Sequence, residues 1–168
     1  MKKLVVYRII TYILLFIAAF LSVGVFSSIL AALANPAALL PLFLMACIII
    51  YTYCSWRMLV RGIDKNIPCA KTLRELIRVN GYVTLGLSAL CLVSMIVIST
   101  QPGSLETILE QVRAAQPPGM KMTEQELISR TQFTMRFLMA YTALLVIHVI
   151  LTFRIVKRNP QIFEEPVN

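Results

Sequence analysis

Four long, predominantly apolar stretches, Leu4–Leu33, Ala37–Val60, Val79–Thr100 and Phe133–Val156, take up most of the 168-residue chain. A helix needs about 20 apolar residues to cross a hydrocarbon core of about 30 Å, whereas a run of about 10–14 suits a buried helix of a soluble protein. Each stretch passes the longer test. Charged residues make up 14% of the chain, against roughly a quarter in soluble domains. The expected fold is an all-α integral membrane protein. It is a four-transmembrane-helix bundle with a small external helical cap (about residues 101–132) between helices 3 and 4, forming one domain over residues 1–168.

The net charge of +8 invites a nucleic-acid reading, but its distribution argues for a membrane. Lys2, Lys3 and Arg8 open the first span. Arg57, Arg61, Lys65, Lys71, Arg74 and Arg78 surround the link between the second and third spans, and Arg154, Lys157 and Arg158 close the fourth. Those twelve fall on one side, against Arg113, Lys121, Arg130 and Arg136 on the other. That asymmetry is the positive-inside pattern and predicts a multi-pass protein of the cytoplasmic membrane with both termini in the cytoplasm. The basic side then meets anionic lipid headgroups, each Lys or Arg there contributing about 1 kcal/mol. No patch of interleaved aromatic and basic residues accompanies the charge, so nucleic acid is not an expected partner. The first stretch is longer than the apolar run of about 7–15 residues in a signal peptide, and it reads as a retained span.

Local signals punctuate this frame. Asn35-Pro36 reads as a short external turn, with Pro36 suited to a helix's first position and Pro41 one turn deeper as a source of a kink. Tyr51, Tyr53 and Trp56, followed by Arg57 and Arg61, have the composition of a membrane interface: amphipathic rings at headgroup level, then cations reaching water. Pro68 reads as the opening of a helix that enters the third span, with Leu73, Leu76 and Ile77 on one face. In the external insert, Ser104 caps a helix whose Leu105, Ile108, Leu109 and Val112 share a face. Gln116-Pro117-Pro118-Gly119 ends it. Thr123-Glu124-Gln125-Glu126 is a capping box, and Glu126 is expected to pair with Arg130 at i+4. The helix it starts is expected to run unbroken into the fourth span. The tail after Arg158 reads as loose.

His148 is the sharpest chemical candidate, because an ionisable residue near the middle of a span is costly unless partnered. Thr134, Tyr141, His148 and Thr152 fall on nearly one face of their helix, and Asn80, Thr84 and Ser88 repeat every four residues on the third span. Two facing polar stripes would satisfy each other, as interhelical glue or as a narrow polar path. On the first span, Gly24, Ser28 and Ala32 form a small-residue row, with Ala18 and Ser22 a second pair. Such rows let backbones approach closely, within the chain or between chains.

The cysteines show neither a disulfide framework nor zinc spacing. Cys47, Cys91, His148, Met45 and Met95 include soft ligands of the kind that suit Cu(I), but no two share metal-binding spacing on one helix, so no metal and no cofactor are expected. No Asp or Glu lies inside a span, and no phosphate loop, HExxH or Ser-His-Asp pattern is visible. The expected function is non-catalytic: a membrane subunit or scaffold that associates with other membrane proteins or with itself. The alternative is a small transporter or channel for a neutral or anionic solute, lined by spans three and four.

Overall fold

The computed structural model describes residues 2–35, 38–101, 103–114 and 123–163. Five α-helices follow in order: α1 (Lys2–Ala34), α2 (Leu39–Arg57), α3 (Lys71–Thr100), α4 (Ser104–Ala114) and α5 (Glu124–Arg158). A π-helical turn, Met58–Asp64, prolongs α2, and a 3₁₀ turn, Pro160–Phe163, follows α5. The described residues contain no strand, and four of the helices are long and apolar enough to cross a membrane. Large apolar side chains stand outward along them: Phe26 is 80% exposed, Phe133 71% and Leu90 69%. A soluble protein would bury such side chains; lipid favours them on the surface.

A polar group facing hydrocarbon would have to be satisfied locally. Several serines on these faces bond within their own helix. Ser27 donates to the Val23 carbonyl at 2.9 Å, Ser94 to Leu90 at 2.9 Å, and Ser99 to Met95 at 2.8 Å. A hydroxyl bonded back one turn presents mainly carbon to its surroundings.

The chain divides into two compact units. One comprises Met1–Leu87 with Leu144–Asn168, the other Ser88–Ala143. In the first unit α1 packs along α2, and α3 and the end of α5 join them through close contacts. A Cβ on Gly81 of α3 would lie 2.8 Å from the Phe153 ring of α5 and 3.4 Å from Tyr51 Cδ2 of α2. Glycine is what admits this approach. Phe153 packs in turn on Tyr82, with ring centroids 4.9 Å apart. At the basic end, Arg8 of α1 pairs with Asp64 of the π-helical turn.

The same end shows two departures from expectation. The segment after Arg158 is docked through Phe163 rather than loose. Cys69 N–H donates to the Ile162 carbonyl at 2.7 Å, Phe163 is buried, and the Arg74 guanidinium lies 6.0 Å from its ring. α3 begins at Lys71 rather than at Pro68, because the preceding strip of chain is tied to that docked turn. The first bond of α3 runs from Leu73 N–H to the Ala70 carbonyl. Pro41 falls in the first turn of α2, where an amide has no intrahelical carbonyl to give up. The expectations for Pro36, for the Pro117-Pro118-Gly119 stop and for residues 164–168 lie outside the described residues.

In the second unit the capping box forms as its spacing requires. Glu126 Oε2 accepts from Thr123 N–H at 3.1 Å and from the Thr123 hydroxyl at 3.0 Å, while Glu126 N–H reaches Thr123 Oγ1 at 3.4 Å. These donors hold the Glu126 carboxyl below the usual carboxylate range. α5 then continues unbroken to Arg158. α4 buries no residue fully, and its Leu105, Ile108 and Leu109 are half-buried.

Candidate functional site: a buried hydroxyl and imidazole cluster

Three helices each contribute a polar pair at i, i+4 spacing: Tyr7 and Thr11 on α1, Tyr51 and Ser55 on α2, His148 and Thr152 on α5. That spacing puts both members on one face, and all six side chains are fully enclosed. His148 Nε2 lies 2.9 Å from Thr11 Oγ1, and its Nδ1 lies 2.9 Å from the Tyr51 hydroxyl. Tyr51 also reaches Thr152 Oγ1 at 2.9 Å, Tyr7 reaches Ser55 Oγ at 2.7 Å, and Ser55 and Thr152 are 3.3 Å apart. The Tyr7 ring stacks on the imidazole with an interplanar angle of 1° and centroids 5.0 Å apart, and Tyr51 meets it edge-on. Leu14 and Ala18 extend the buried face of α1 beyond the cluster.

Proton counting limits the cluster's states, since each hydroxyl has one proton to give. Thr11 donates to the Tyr7 carbonyl at 2.7 Å, and Thr152 to the His148 carbonyl at 2.8 Å. With those bonds made, Thr11 can only accept, so Nε2 carries the ring proton and Tyr51 donates to Nδ1. The contact between Tyr51 and Thr152 is then left without a hydrogen. An imidazolium would free the Tyr51 proton for Thr152, while one of the three contacts among Tyr7, Ser55 and Thr152 would stay without a hydrogen; the added bond is worth only about 0.6 kcal/mol between membrane helices. Burying a cation there without a carboxylate costs at least about 2.5–3.5 kcal/mol. The cluster contains no carboxylate, so the neutral ring wins.

The expected site is therefore reassembled. His148 and Thr152 are at its centre. Tyr51 belongs to it and is not an interface anchor: it is 0% exposed, and its hydroxyl binds the imidazole rather than headgroups. Of the other expected anchors, Tyr53, Arg57 and Arg61 are exposed and Trp56 is half-buried, packed near Tyr53. The third-span stripe does not serve His148 as expected. Asn80 donates to its own Leu76 carbonyl at 3.0 Å, and buried Thr84 has no hydrogen-bond partner among the described residues. Ser88 and Tyr141 fall in the other unit. Ser88 is buried, and the Tyr141 hydroxyl is buried and unpartnered among the described residues. Thr134 is exposed and bonds back to Arg130.

The small-residue row on α1 also splits. Ala18 is packed inside, and Ser22 bonds to its carbonyl at 2.7 Å. Gly24 and Ser28 face outward, and a Cβ added to Gly24 would meet nothing within 4 Å. Internal packing accounts for Ala18 and leaves Gly24 and Ser28 without a packing partner among the described residues. The side chain of Ala32 lies outside the described set.

No group of three or more His, Cys, Asp or Glu residues among the described ones is placed to hold a metal ion. Cys47 is buried, Cys91 is half-buried, and neither is joined to His148 by any hydrogen bond. No protein-family model, curated protein or solved structure matches this chain.

Proposed function

We propose that this chain is a non-catalytic integral membrane subunit or scaffold of the cytoplasmic membrane, with both termini cytoplasmic, that associates with other membrane proteins or with itself. The observation that carries the reading is the self-sufficiency of the His148 cluster. Both ring nitrogens are engaged by hydroxyls of two other helices, which is how a residue holds a bundle together. No carboxylate among the described residues joins it to activate one of its hydroxyls. The outward Gly24–Ser28 face supplies a place where another helix can approach closely.

Gly24→Leu separates association from folding, because none of the described residues comes within 4 Å of an added Cβ at that position. In lipid vesicles, with subunit association followed by energy transfer between labelled copies or with a co-purifying partner, Gly24→Leu is expected to weaken association about ten-fold or more. The melting temperature in mild detergent should stay unchanged. Equal association in wild type and variant removes this face from the account.

A second reading, a small transporter for a neutral or anionic solute, draws on the unpartnered hydroxyls of Thr84 and Tyr141, since buried polar atoms are ordinarily paired or hydrated. Solute flux in proteoliposomes that Thr84→Val abolishes would favour it over the scaffold.

A further inference from the structure

At the basic end of the first unit, a cavity of about 280 Å³ opens between the end of α2 and the start of α3. Its walls are mostly apolar, with Pro68, Leu73 and Leu76 among them, and Arg57, Arg61 and Thr72 add polar groups. The two arginines stand one turn apart where α2 passes into the wider π-helical turn. Both arginines line this cavity together with Cys69.

Neither arginine has a carboxylate partner among the described residues; Asp64, the nearest acid in sequence, is taken by Arg8. The first turn of α3 also lines the cavity through Thr72 and Leu73, and it carries no acidic residue. The partial positive charge of that helix end is thus not offset by an acidic side chain in its own first turn. Two guanidinium groups without a carboxylate partner among the described residues and a helix N-terminus attract a phosphate, and Arg in particular grips phosphate with paired N–H groups. The apolar walls suit the hydrocarbon next to such a phosphate.

We propose that this cavity is a binding site for the headgroup of an anionic phospholipid, with Arg57 and Arg61 on the phosphate and Leu73 and Leu76 against the upper acyl chain. The proposal rests on the membrane reading above and adds selectivity to it: one lipid class is held at one place, beyond the diffuse attraction of a basic surface.

The test uses the full chain in mild neutral detergent, titrated with short-chain phosphatidylglycerol or phosphatidylcholine and followed by thermal melting and native mass spectrometry. Wild type should bind phosphatidylglycerol saturably and phosphatidylcholine at least about ten-fold more weakly. Arg57→Gln/Arg61→Gln should lose about ten-fold or more in affinity, whereas Lys65→Gln/Lys157→Gln, which removes the same charge elsewhere, should keep it. Leu76→Trp, which fills the cavity without changing charge, should also weaken binding. Equal losses in the two double variants would overturn the site in favour of general surface charge. Inorganic phosphate that stabilises the protein as well as the lipid does would overturn the lipid assignment. A chain that leaves membranes in alkaline carbonate would instead sink the membrane reading itself, so the two failures are distinguishable.

Discussion

Replacing His148 by alanine is expected to destabilise the fold by about 2–4 kcal/mol, and replacing it by phenylalanine by only about 1–2 kcal/mol. Two effects compete in this contrast. Alanine removes a buried ring and leaves a cavity, which in well-packed cores accounts for a loss of about 2–5 kcal/mol. It also strands Thr11 and Tyr51, whose bonds to the ring are each 2.9 Å. Hydrogen bonds between membrane helices average about 0.6 kcal/mol, so two of them cannot explain a loss of that size. Phenylalanine keeps the volume and the stacking on Tyr7 but breaks both bonds. Thermal melting in mild detergent reads the difference, with a shift of about 5–15 °C for alanine and clearly less for phenylalanine. Equal losses would show that the bonds, not the packed ring, hold the three helices. No loss in either would remove the cluster from the stability of the fold.

Gly81→Leu is expected to be the most damaging change on α3. A Cβ there meets the Phe153 ring at 2.8 Å, closer than carbon atoms pack, and a leucine adds three further carbons in the same direction. Overpacking of this kind costs about 1–3 kcal/mol, and more where neighbours cannot yield. Tyr82 packs against one side of Phe153, and the Tyr51 ring, 3.4 Å from the added Cβ, limits where the leucine itself can turn. Gly86, farther along the same helix, has nothing within 4 Å of an added Cβ, so Gly86→Leu should leave the melting temperature where it was. The double variant Gly81→Leu/Phe153→Ala should lose less than the sum of its single changes, because the second removes the obstacle met by the first. Strict additivity would mean that the two residues do not touch.

The sequence alone makes the helices and their ends readable wherever a local rule applies. The apolar runs are long enough for hydrocarbon, and the Thr123–Glu126 box forms as spaced. His148 is conspicuous because it is ionisable in an apolar run. Its partners are harder to read. Tyr51 sits beside Tyr53, Trp56 and Arg57, and a rule about composition assigns all of them to the interface. Only the direction of each side chain separates Tyr51, turned inward, from Tyr53, turned outward. Tyr7 and Thr11 hide in the first apolar run, near the basic N-terminus.

A signal for them does exist. Tyr7–Thr11, Tyr51–Ser55 and His148–Thr152 are polar pairs at the same i, i+4 spacing on three helices, and Tyr7, Thr11, Leu14 and Ala18 trace one face of α1. Which helices share a contact is a different matter, since it depends on how whole helices dock. The expected pairing of the third-span stripe with His148 fails on that ground. The docking of Phe163 is equally invisible, because the backbone bond between Cys69 and Ile162 that accompanies it, and the Ile162 side chain packed where a Cβ on Gly62 would stand, depend on how distant segments meet.

The central claim is that these helices cross a bilayer, with the lysine- and arginine-rich ends together on the cytoplasmic side. Single cysteines introduced as Lys65→Cys, Glu110→Cys and Lys157→Cys into a chain otherwise free of cysteine, and exposed in intact cells to a membrane-impermeant maleimide, test it directly. Glu110→Cys is predicted to react from outside, and Lys65→Cys and Lys157→Cys only after the membrane is opened. Labelling of all three alike, or of Lys65→Cys and Lys157→Cys from opposite sides, would contradict it.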